Sequence, residues 1–426
     1  MNILLIGGGG REHAILKKIK SNPKVQKIYA LPGNAGYGDD AVCLPISAED
    51  PEGILDFAGK HKIDFAIVSP DDPLVMGLID RLQEIGIPCF GPDKKAAQIE
   101  GSKAFSKNLM KKYGIPTADF AIFDDFDKAK EYAEKADYPI VIKASGLAKG
   151  KGVVIAGDYC QALDAIEDCM QRDRFGNSGH TLVIEEFLRG PEVSVLAFTD
   201  GKTIRPMVSS MDHKRAYDGD MGPNTGGMGC IAPNPYYSPE IAQECMEKIF
   251  IPTIRAMEKE SCPFKGCLYF GLMLTEKGPK VIEYNCRFGD PEAQVVLPLL
   301  ETDLLDIMMA VSQGRLADVD IKFSKKAACC TILASSGYPG SYKKGYEISF
   351  PKDLKDDIYF AGVKSDDQGK LLSDGGRVLG YTRLADNLED AIKKSYEGLK
   401  DIRFQGAFCR KDIGKSALKA LKGEDQ

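Results

Sequence analysis

The sequence predicts a multidomain fold, part α/β and part α+β: a doubly wound parallel N-terminal domain, a central domain with antiparallel sheet, and a small C-terminal α+β domain. Three observations carry this. Short apolar runs alternate with helical patterns over about residues 1–100, as buried parallel strands and their crossover helices do. Beyond about residue 190 the strand-like runs lengthen and turn back on themselves, which marks antiparallel pairing. From about residue 327 a smaller strand and helix pattern starts afresh. The predicted domains are therefore 1–100, 101–326 and 327–426.

Taken in order, Ile3 to Ile6 form an apolar strand closed by Gly7 to Gly10, and a helical pattern follows from Arg11 to Ile19. Strands are predicted at Lys27 to Leu31 and Phe65 to Val68, with a helix over Pro51 to His61 between them. A further helix is predicted over Val75 to Ile85. Gly101-Ser102-Lys103 opens a helix that runs to Tyr113 and stops at Gly114 and Pro116, a cap and a breaker in the expected places. Strands at 138–143, 153–156 and 181–186 and a helix at 160–172 come next. Longer strands are predicted at 192–199, 203–209, 267–274 and 279–284, with Thr275 to Gly278 as a hairpin turn and a helix over 239–260. The last unit has strands near 327–333, 358–361 and 377–382 and a helix near 387–400.

Composition excludes several classes. A net charge of −6 and a pI near 5.5 disfavour a nucleic-acid binder, which needs a basic surface. The 12 Cys sit at irregular spacings with only 4 His and no CxxC. They read as reduced, small hydrophobes in a cytoplasmic protein, not as thiolate ligands. The first residues lack a basic stretch and read as a strand. No run approaches the ~18 apolar residues of a membrane span. A soluble cytoplasmic protein with no nucleic-acid or membrane partner is expected.

Gly7 to Gly10 join a buried strand to a helix. Backbone N–H groups at such a turn bind phosphate or carboxylate; the same glycines also suit a plain tight turn. A dinucleotide fingerprint fails, because Glu12 stands at the third glycine position and no acidic residue ends the second strand. Lys143 to Gly152 lie between two strands and are not a Walker loop, which would open a helix. Such a loop either folds over a triphosphate or is a surface hairpin. Lysines such as Lys143 and Lys151, with Gly150 between strands, suit β- and γ-phosphates. Glu185 and Glu186, then Leu188 and Glu192, end one strand and start the next. There the backbone can pair with an adenine edge and a carboxylate can hold ribose hydroxyls.

Asp212-His213-Lys214-Arg215 precedes Gly222 to Gly229, a long loop of special-backbone residues that suits a small polar substrate. Glu283 and Asn285 are two apart in a strand and share a face. A carboxylate and an amide oxygen side by side suit Mg²⁺. Arg287 continues the alternation and can grip a carboxylate or phosphoryl group. His213 has no visible partner and reads as a hydrogen-bonding residue.

Together these segments resemble the ATP-grasp carboxylate–amine ligases, and within them the glycinamide ribonucleotide synthetase family. The resemblance covers nearly the whole chain and rests on GGREHA from Gly9, LPGNAG from Leu31, GSKAFSK from Gly101, IPTADF from Ile115 and KASGLAKGKGV from Lys143. It continues through IEEFLRGPEVS from Ile184, DHKR from Asp212, GPNTGGMG from Gly222 and IEYNCRFGDPE from Ile282, then GYPG from Gly337, GGRVL from Gly375 and FCRKDIG from Phe408. It is to the stand-alone form of the enzyme. Departures are Asp71 for a glutamate in Ser69 to Pro73, Ser145 for an aspartate, and Phe360 and Val363 in place of His and Thr.

The resemblance implies an ATP-grasp core with a mobile lid over about 122–190. It implies that glycine is phosphorylated by ATP to glycyl phosphate and joined to 5-phosphoribosylamine, giving glycinamide ribonucleotide, ADP and phosphate in purine synthesis. By the same resemblance Lys103, Lys143, Gly150, Lys151, Glu185, Glu186, Leu188 and Glu192 hold ATP. Glu283 and Asn285 hold Mg²⁺ or Mn²⁺. Gly9, Gly10, Asn34, Asp212, Gly226, Gly227, Arg287 and Asp290 bind substrate, and Arg287, Asp212 and Lys214 are catalytic. A monomer or weak homodimer is expected. The rivals are an ATP-grasp carboxylase, which would need bicarbonate; an oxidoreductase built on the first domain, which would bind NAD(H); and a non-catalytic nucleotide binder.

Overall fold

The structure, a computed structural model, describes residues 1–148, 152–172 and 174–424. The first apolar run forms β1 (Asn2–Gly7), and the glycines turn the chain into α1 (Gly10–Ile19). β2 (Lys27–Pro32), β3 (Val42–Cys43), α2 (Pro51–Lys60), β4 (Phe65–Val68), α3 (Asp71–Met76), α4 (Leu78–Glu84) and β5 (Cys89–Phe90) follow. The five strands are parallel, in the order β3-β2-β1-β4-β5. Leu4 and Ile6 enter one core cluster and Ile3 and Leu5 another, because successive side chains leave opposite faces. The single helix expected over Val75 to Ile85 is two. Gly77, at φ 91°, ends α3 and starts α4, a left-handed conformation that glycine adopts without a Cβ penalty.

α5 (Gln98–Gly101) and α6 (Lys103–Tyr113) lead into the centre, with Ser102 Oγ accepting from the Phe105 N–H at the start of α6. β6 (Phe120–Phe123), α7 (Phe126–Glu134), β7 (Ile140–Ala144), β8 (Val153–Ala156), α8 (Tyr159–Met170) and β9 (Leu182–Glu186) make an antiparallel sheet, β6-β9-β7-β8, with its own core against α7 and α8. This unit spans 120–186, the stretch where a lid is expected. The sequence reading missed β6 and α7, whose four-residue strand is only half-buried and carries no alternation.

β10 (Glu192–Asp200), β11 (Ile204–Pro206), β12 (Met211–Asp212), β13 (Arg215–Tyr217), β14 (Met221–Asn224) and β15 (Gly229–Ala232) come next. The strand expected over 203–209 stops at Pro206, which has no N–H for the ladder. The helix expected over 239–260 is α9 (Pro239–Cys245) and α10 (Ile251–Lys259), joined by a π-helical turn at Met246–Phe250. Pro252 stands where the helix returns to the α form, and a widened turn is one way to absorb its missing N–H. β16 (Lys265–Thr275) and β17 (Gly278–Asn285) form the expected hairpin and complete the antiparallel sheet β11-β10-β16-β17.

α11 (Ala293–Leu299), α12 (Leu304–Ser312), β18 (Ala327–Ser335), β19 (Ile358–Phe360), β20 (Val363–Ser365), β21 (Leu371–Ser373), β22 (Arg377–Ala385), α13 (Leu388–Leu399), β23 (Ala407–Phe408) and α14 (Lys415–Lys422) finish the chain. Their main sheet runs β12-β15-β18-β22-β19, with β23 on β18. Two strands that precede residue 327 thus belong to the C-terminal sheet. That weave carries the Asp212 loop onto the last domain. Cys329 and Cys330 in β18 are fully buried on opposite faces, and all the cysteines are free thiols. Among the described residues no helix is long and apolar enough to cross a membrane.

Candidate active site

The end of β17 places Glu283 and Asn285 on one face, while Tyr284 between them turns into the core and meets Thr253 Oγ1 at 2.9 Å. Gly271 on β16 lies opposite Glu283, and a Cβ there would stand 3.1 Å from Glu283 Cγ. The missing side chain lets Glu283 lie across the sheet. Burial alone would raise its pKa, but Lys214, Lys143, Lys103 and Arg287 outweigh that and hold it below the ordinary value. These four cations come from four separate places: the start of α6, β7, the β12–β13 link and the residues after β17.

Each cation makes its close contact elsewhere. Lys103 Nζ donates to the Gly146 carbonyl at 3.1 Å, Lys143 to the Ile282 carbonyl at 3.1 Å, and Lys214 to Asp212 Oδ2 at 3.3 Å. Arg287 pairs with Glu100 at 2.9 Å and lies 3.8 Å from Asp71. It also donates to Asn285 Oδ1 at 3.4 Å, so the strand alternation places it as expected, and its Nε is buried without a partner among the described residues. Asp71, the shortened acid, therefore still reaches the Arg287 cluster. Among the described residues no cation stands within ion-pair distance of Glu283, so positive charge surrounds it without a direct partner.

Beside this ring, Glu185 on β9 joins Lys107 at 2.9 Å and Lys143 at 3.0 Å, with all three side chains 5% exposed or less. Burial pulls Lys107 down to about 8. The sequence reading missed Lys107, although its i, i+4 spacing from Lys103 sets both on one face of α6. Glu186 is exposed and pairs with Lys280 at 2.7 Å. Leu188 is half-buried in the β9–β10 connection, and Glu192 opens β10 with its carboxylate 3.8 Å from Lys214. Gly150 and Lys151 lie outside the described residues.

The opposite wall is a junction of all three domains. Asp290 accepts from the Arg11 N–H at 3.3 Å and from Gln294 Nε2 at 2.8 Å, and pairs with Arg377 at 3.3 Å. Arg377 also donates to the carbonyls of Gly226 at 2.6 Å, Gly227 at 3.2 Å and Asp290 at 2.6 Å. Gly9 and Gly10 sit against this knot: added Cβ atoms would stand 3.3 Å from Asp290 Oδ2 and 2.5 Å from Gln294 Nε2. The Gly9 N–H already donates to Glu12 Oε2 at 2.7 Å, so the protein's own carboxylates occupy much of the α1 N-terminus. Asn34 donates to the Gly8 carbonyl at 2.7 Å and to the Phe360 carbonyl at 3.1 Å, and accepts from the Gly36 N–H at 2.8 Å. Its side chain ties loops together. Arg377 was missed because its partners are backbone carbonyls some 90 to 150 residues away, which no local pattern shows.

The C-terminal segment clamps the Asp212 loop. Arg410, 1% exposed, donates to Asp220 at 2.7 Å, to Asp412 at 2.8 Å and to the Arg215 carbonyl at 3.2 Å. The Gly219 N–H donates to Asp412 at 2.8 Å. His213 accepts from the Gly414 N–H at 3.0 Å through Nε2, and its Nδ1 lies 3.3 Å from the Gly229 carbonyl. Burial pushes it down to about 4. His213 is thus the hydrogen-bonding residue the sequence suggested, and its burial favours the neutral ring.

Comparison with known proteins identifies the family. Models of the phosphoribosylglycinamide synthetase family match residues 1–100 (N domain), 101–293 (ATP-grasp domain) and 328–416 (C domain). The chain is 47% identical over 414 residues to a phosphoribosylamine–glycine ligase of Caldanaerobacter subterraneus, covering 97% of this chain and 99% of that one. It is 48% identical over 416 residues to that of Clostridium acetobutylicum, covering 98% and 100%. The solved phosphoribosylamine–glycine ligase of Thermotoga maritima superposes with a TM-score of 0.87 at 33% identity, over 97% of this chain and 100% of that one. A biotin carboxylase of Campylobacter jejuni superposes at 0.74 with 15% identity, over 95% and 92%, which shows a shared fold alone. The chain belongs to the phosphoribosylglycinamide synthetase family of ATP-grasp ligases.

Proposed function

We propose that the cleft activates glycine's carboxylate as an acyl phosphate at the cation ring and passes the glycyl group to the amine of 5-phosphoribosylamine at the three-domain junction. The overall reaction of the family consumes ATP, glycine and 5-phosphoribosylamine and yields glycinamide ribonucleotide, ADP and phosphate. The observation that carries the division of labour is Glu283, half-buried and surrounded by the positive charge of Lys103, Lys143, Lys214 and Arg287. A carboxylate is a poor acyl donor, and phosphorylation gives it a leaving group. Phosphoryl transfer asks the protein mainly for positioning and charge stabilisation, and four converging cations supply charge.

Among the described residues no group of three or more His, Cys, Asp or Glu is arranged to hold a metal. Glu283 and the Asn285 amide oxygen are hard donors that fit Mg²⁺ or Mn²⁺, an ion of the kind held by one or two carboxylates plus substrate phosphates, where it would neutralise phosphate charge. Lys103 and Lys143 then face the phosphates, and Glu186, Leu188 and Glu192 line the hinge between lid and core where the nucleoside would lie. Arg287 holds the carboxylate under attack, with Asp71 and Glu100 fixing its plane. Gly226, Gly227 and Asp290, set by Arg377, shape the wall that meets the sugar phosphate.

The test is an oxygen label. With glycine carrying ¹⁸O in its carboxylate, one label should appear in the released phosphate. Unlabelled phosphate would mean that no acyl phosphate forms.

A further inference from the structure

Asp212 and Glu292 reach one point of the cleft from two separate turns. Gly227 is wedged between the two turns: a Cβ there would stand 2.5 Å from Asp212 Oδ1 and 2.5 Å from the Pro291 ring, next in the chain to Glu292. Glu292 follows Pro291, and its carboxylate folds back over Gly289, where a Cβ would stand 2.3 Å from Oε2. Glu292 is 4% exposed, and Asp212 Oδ1 is buried without a hydrogen-bond partner among the described residues. Lys214 faces both carboxylates; Arg287 faces Glu292, and Arg377 faces both. Tyr269 of β16 faces Glu292, Cys230 of β15 faces the pair, and Glu192 faces Asp212. Lys214 and Arg287 also face Glu283, so the pair opens on the space of the cation ring. Charge stabilisation of phosphoryl transfer gives Glu292 nothing to do.

We propose that Glu292, seated beside Asp212, accepts the proton that the attacking amine must lose. This rests on the acyl-phosphate reading above. The amine nitrogen bonds to the glycyl carbonyl carbon, and the bond from that carbon to the phosphate oxygen breaks. The phosphate leaves with the electron pair. The nitrogen, now carrying one proton too many, gives it to the Glu292 carboxylate. No other reactant is consumed. Burial and the neighbouring Asp212 charge push Glu292 up to about 7, because two close carboxylates resist sharing full charge. A base of that strength is poised for neutral pH.

The experiment follows amide formation against pH in wild type, Glu292→Gln and Asp212→Asn. In wild type kcat should rise with pH through about 7. Glu292→Gln should remove that limb and lower kcat by roughly 10²–10⁴-fold, the usual worth of positioned proton transfer. Asp212→Asn removes the like charge, lowers the Glu292 pKa and so should move the limb to lower pH. A trap separates activation from proton transfer: hydroxylamine, with ribose 5-phosphate present, should give glycine hydroxamate at similar rates in wild type and Glu292→Gln, because its adduct loses a proton readily to water. A wild-type pH limb persisting in Glu292→Gln, or equal loss of hydroxamate and amide, would overturn the role of Glu292. A wild type that makes no hydroxamate would instead overturn the acyl-phosphate reading itself.

Discussion

The two walls of the cleft are built on different principles. One side, Lys103, Lys107, Lys143 and Glu185, hangs charged side chains on regular elements of one domain. The junction side, Asp290, Arg377, Asn34 and Arg410, ties three stretches of chain through backbone carbonyls and N–H groups. On the function proposed above, the first wall would supply charge to a ligand that carries much of it. The second supplies shape, and its charged residues spend their contacts on the protein. Chemistry should therefore fail when the first wall or its Arg287 neighbour is altered, and substrate fit should fail when the second is.

Of the changes that set one wall against the other, the largest effect is expected where the walls meet. Arg287→Ala should cut kcat by roughly 10²–10³-fold, the range for losing one preorganised charge stabiliser. ATP affinity, read by equilibrium binding, should hardly change; an equal loss of both would erase the distinction. Next, Glu283→Gln should raise the half-saturating Mg²⁺ concentration by roughly 10–100-fold, a range typical of damaged metal shells. An unchanged Mg²⁺ titration would remove Glu283 from the metal site.

The third prediction concerns pH and the junction alone. His213 is held neutral, with its folded pKa pushed from 6.5 down to about 4. Between those values the unfolded chain binds a proton that the folded one does not, so stability falls as pH drops from 6.5 towards 4. The loss from this one group reaches about 3 kcal/mol at the low end. Denaturant midpoints at pH 7.5 and 4.5 should show it, and His213→Asn should flatten the difference. A pH dependence unchanged in the variant would contradict the assignment. The smallest effect is expected for Arg410→Lys, which keeps the charge but loses the fork that reaches Asp220 and Asp412 together. The KM for the phosphoribosylamine should rise several-fold with kcat nearly kept. A fall in kcat alone would place the clamp on the chemical step instead.

The contrast also explains what the sequence could reveal. Residue type and spacing suffice for Glu283, Asn285 and Arg287, because alternation along a strand fixes their common face. Lys103 and Lys143 were visible as cations beside a helix start and a glycine loop. The parallel sheet was legible because the fully buried stretches, Ile3 to Ile6 of β1 and all of β4, are wholly apolar. Arg377, Arg410 and Glu292 were not, because their meaning lies in contacts between distant turns. The split of the 75–85 helix at Gly77 and the two early strands in the C-terminal sheet were hidden for the same reason: a backbone angle and a long-range pairing decided them.

The most direct measurement is ADP release with Mg²⁺, ATP and freshly generated 5-phosphoribosylamine across glycine, other small amino acids and bicarbonate. ADP should appear only when glycine and the ribosylamine are both present, with the mass of glycinamide ribonucleotide as product. Turnover with bicarbonate in place of glycine, or ADP release indifferent to the ribosylamine, would contradict a cleft that joins these two substrates.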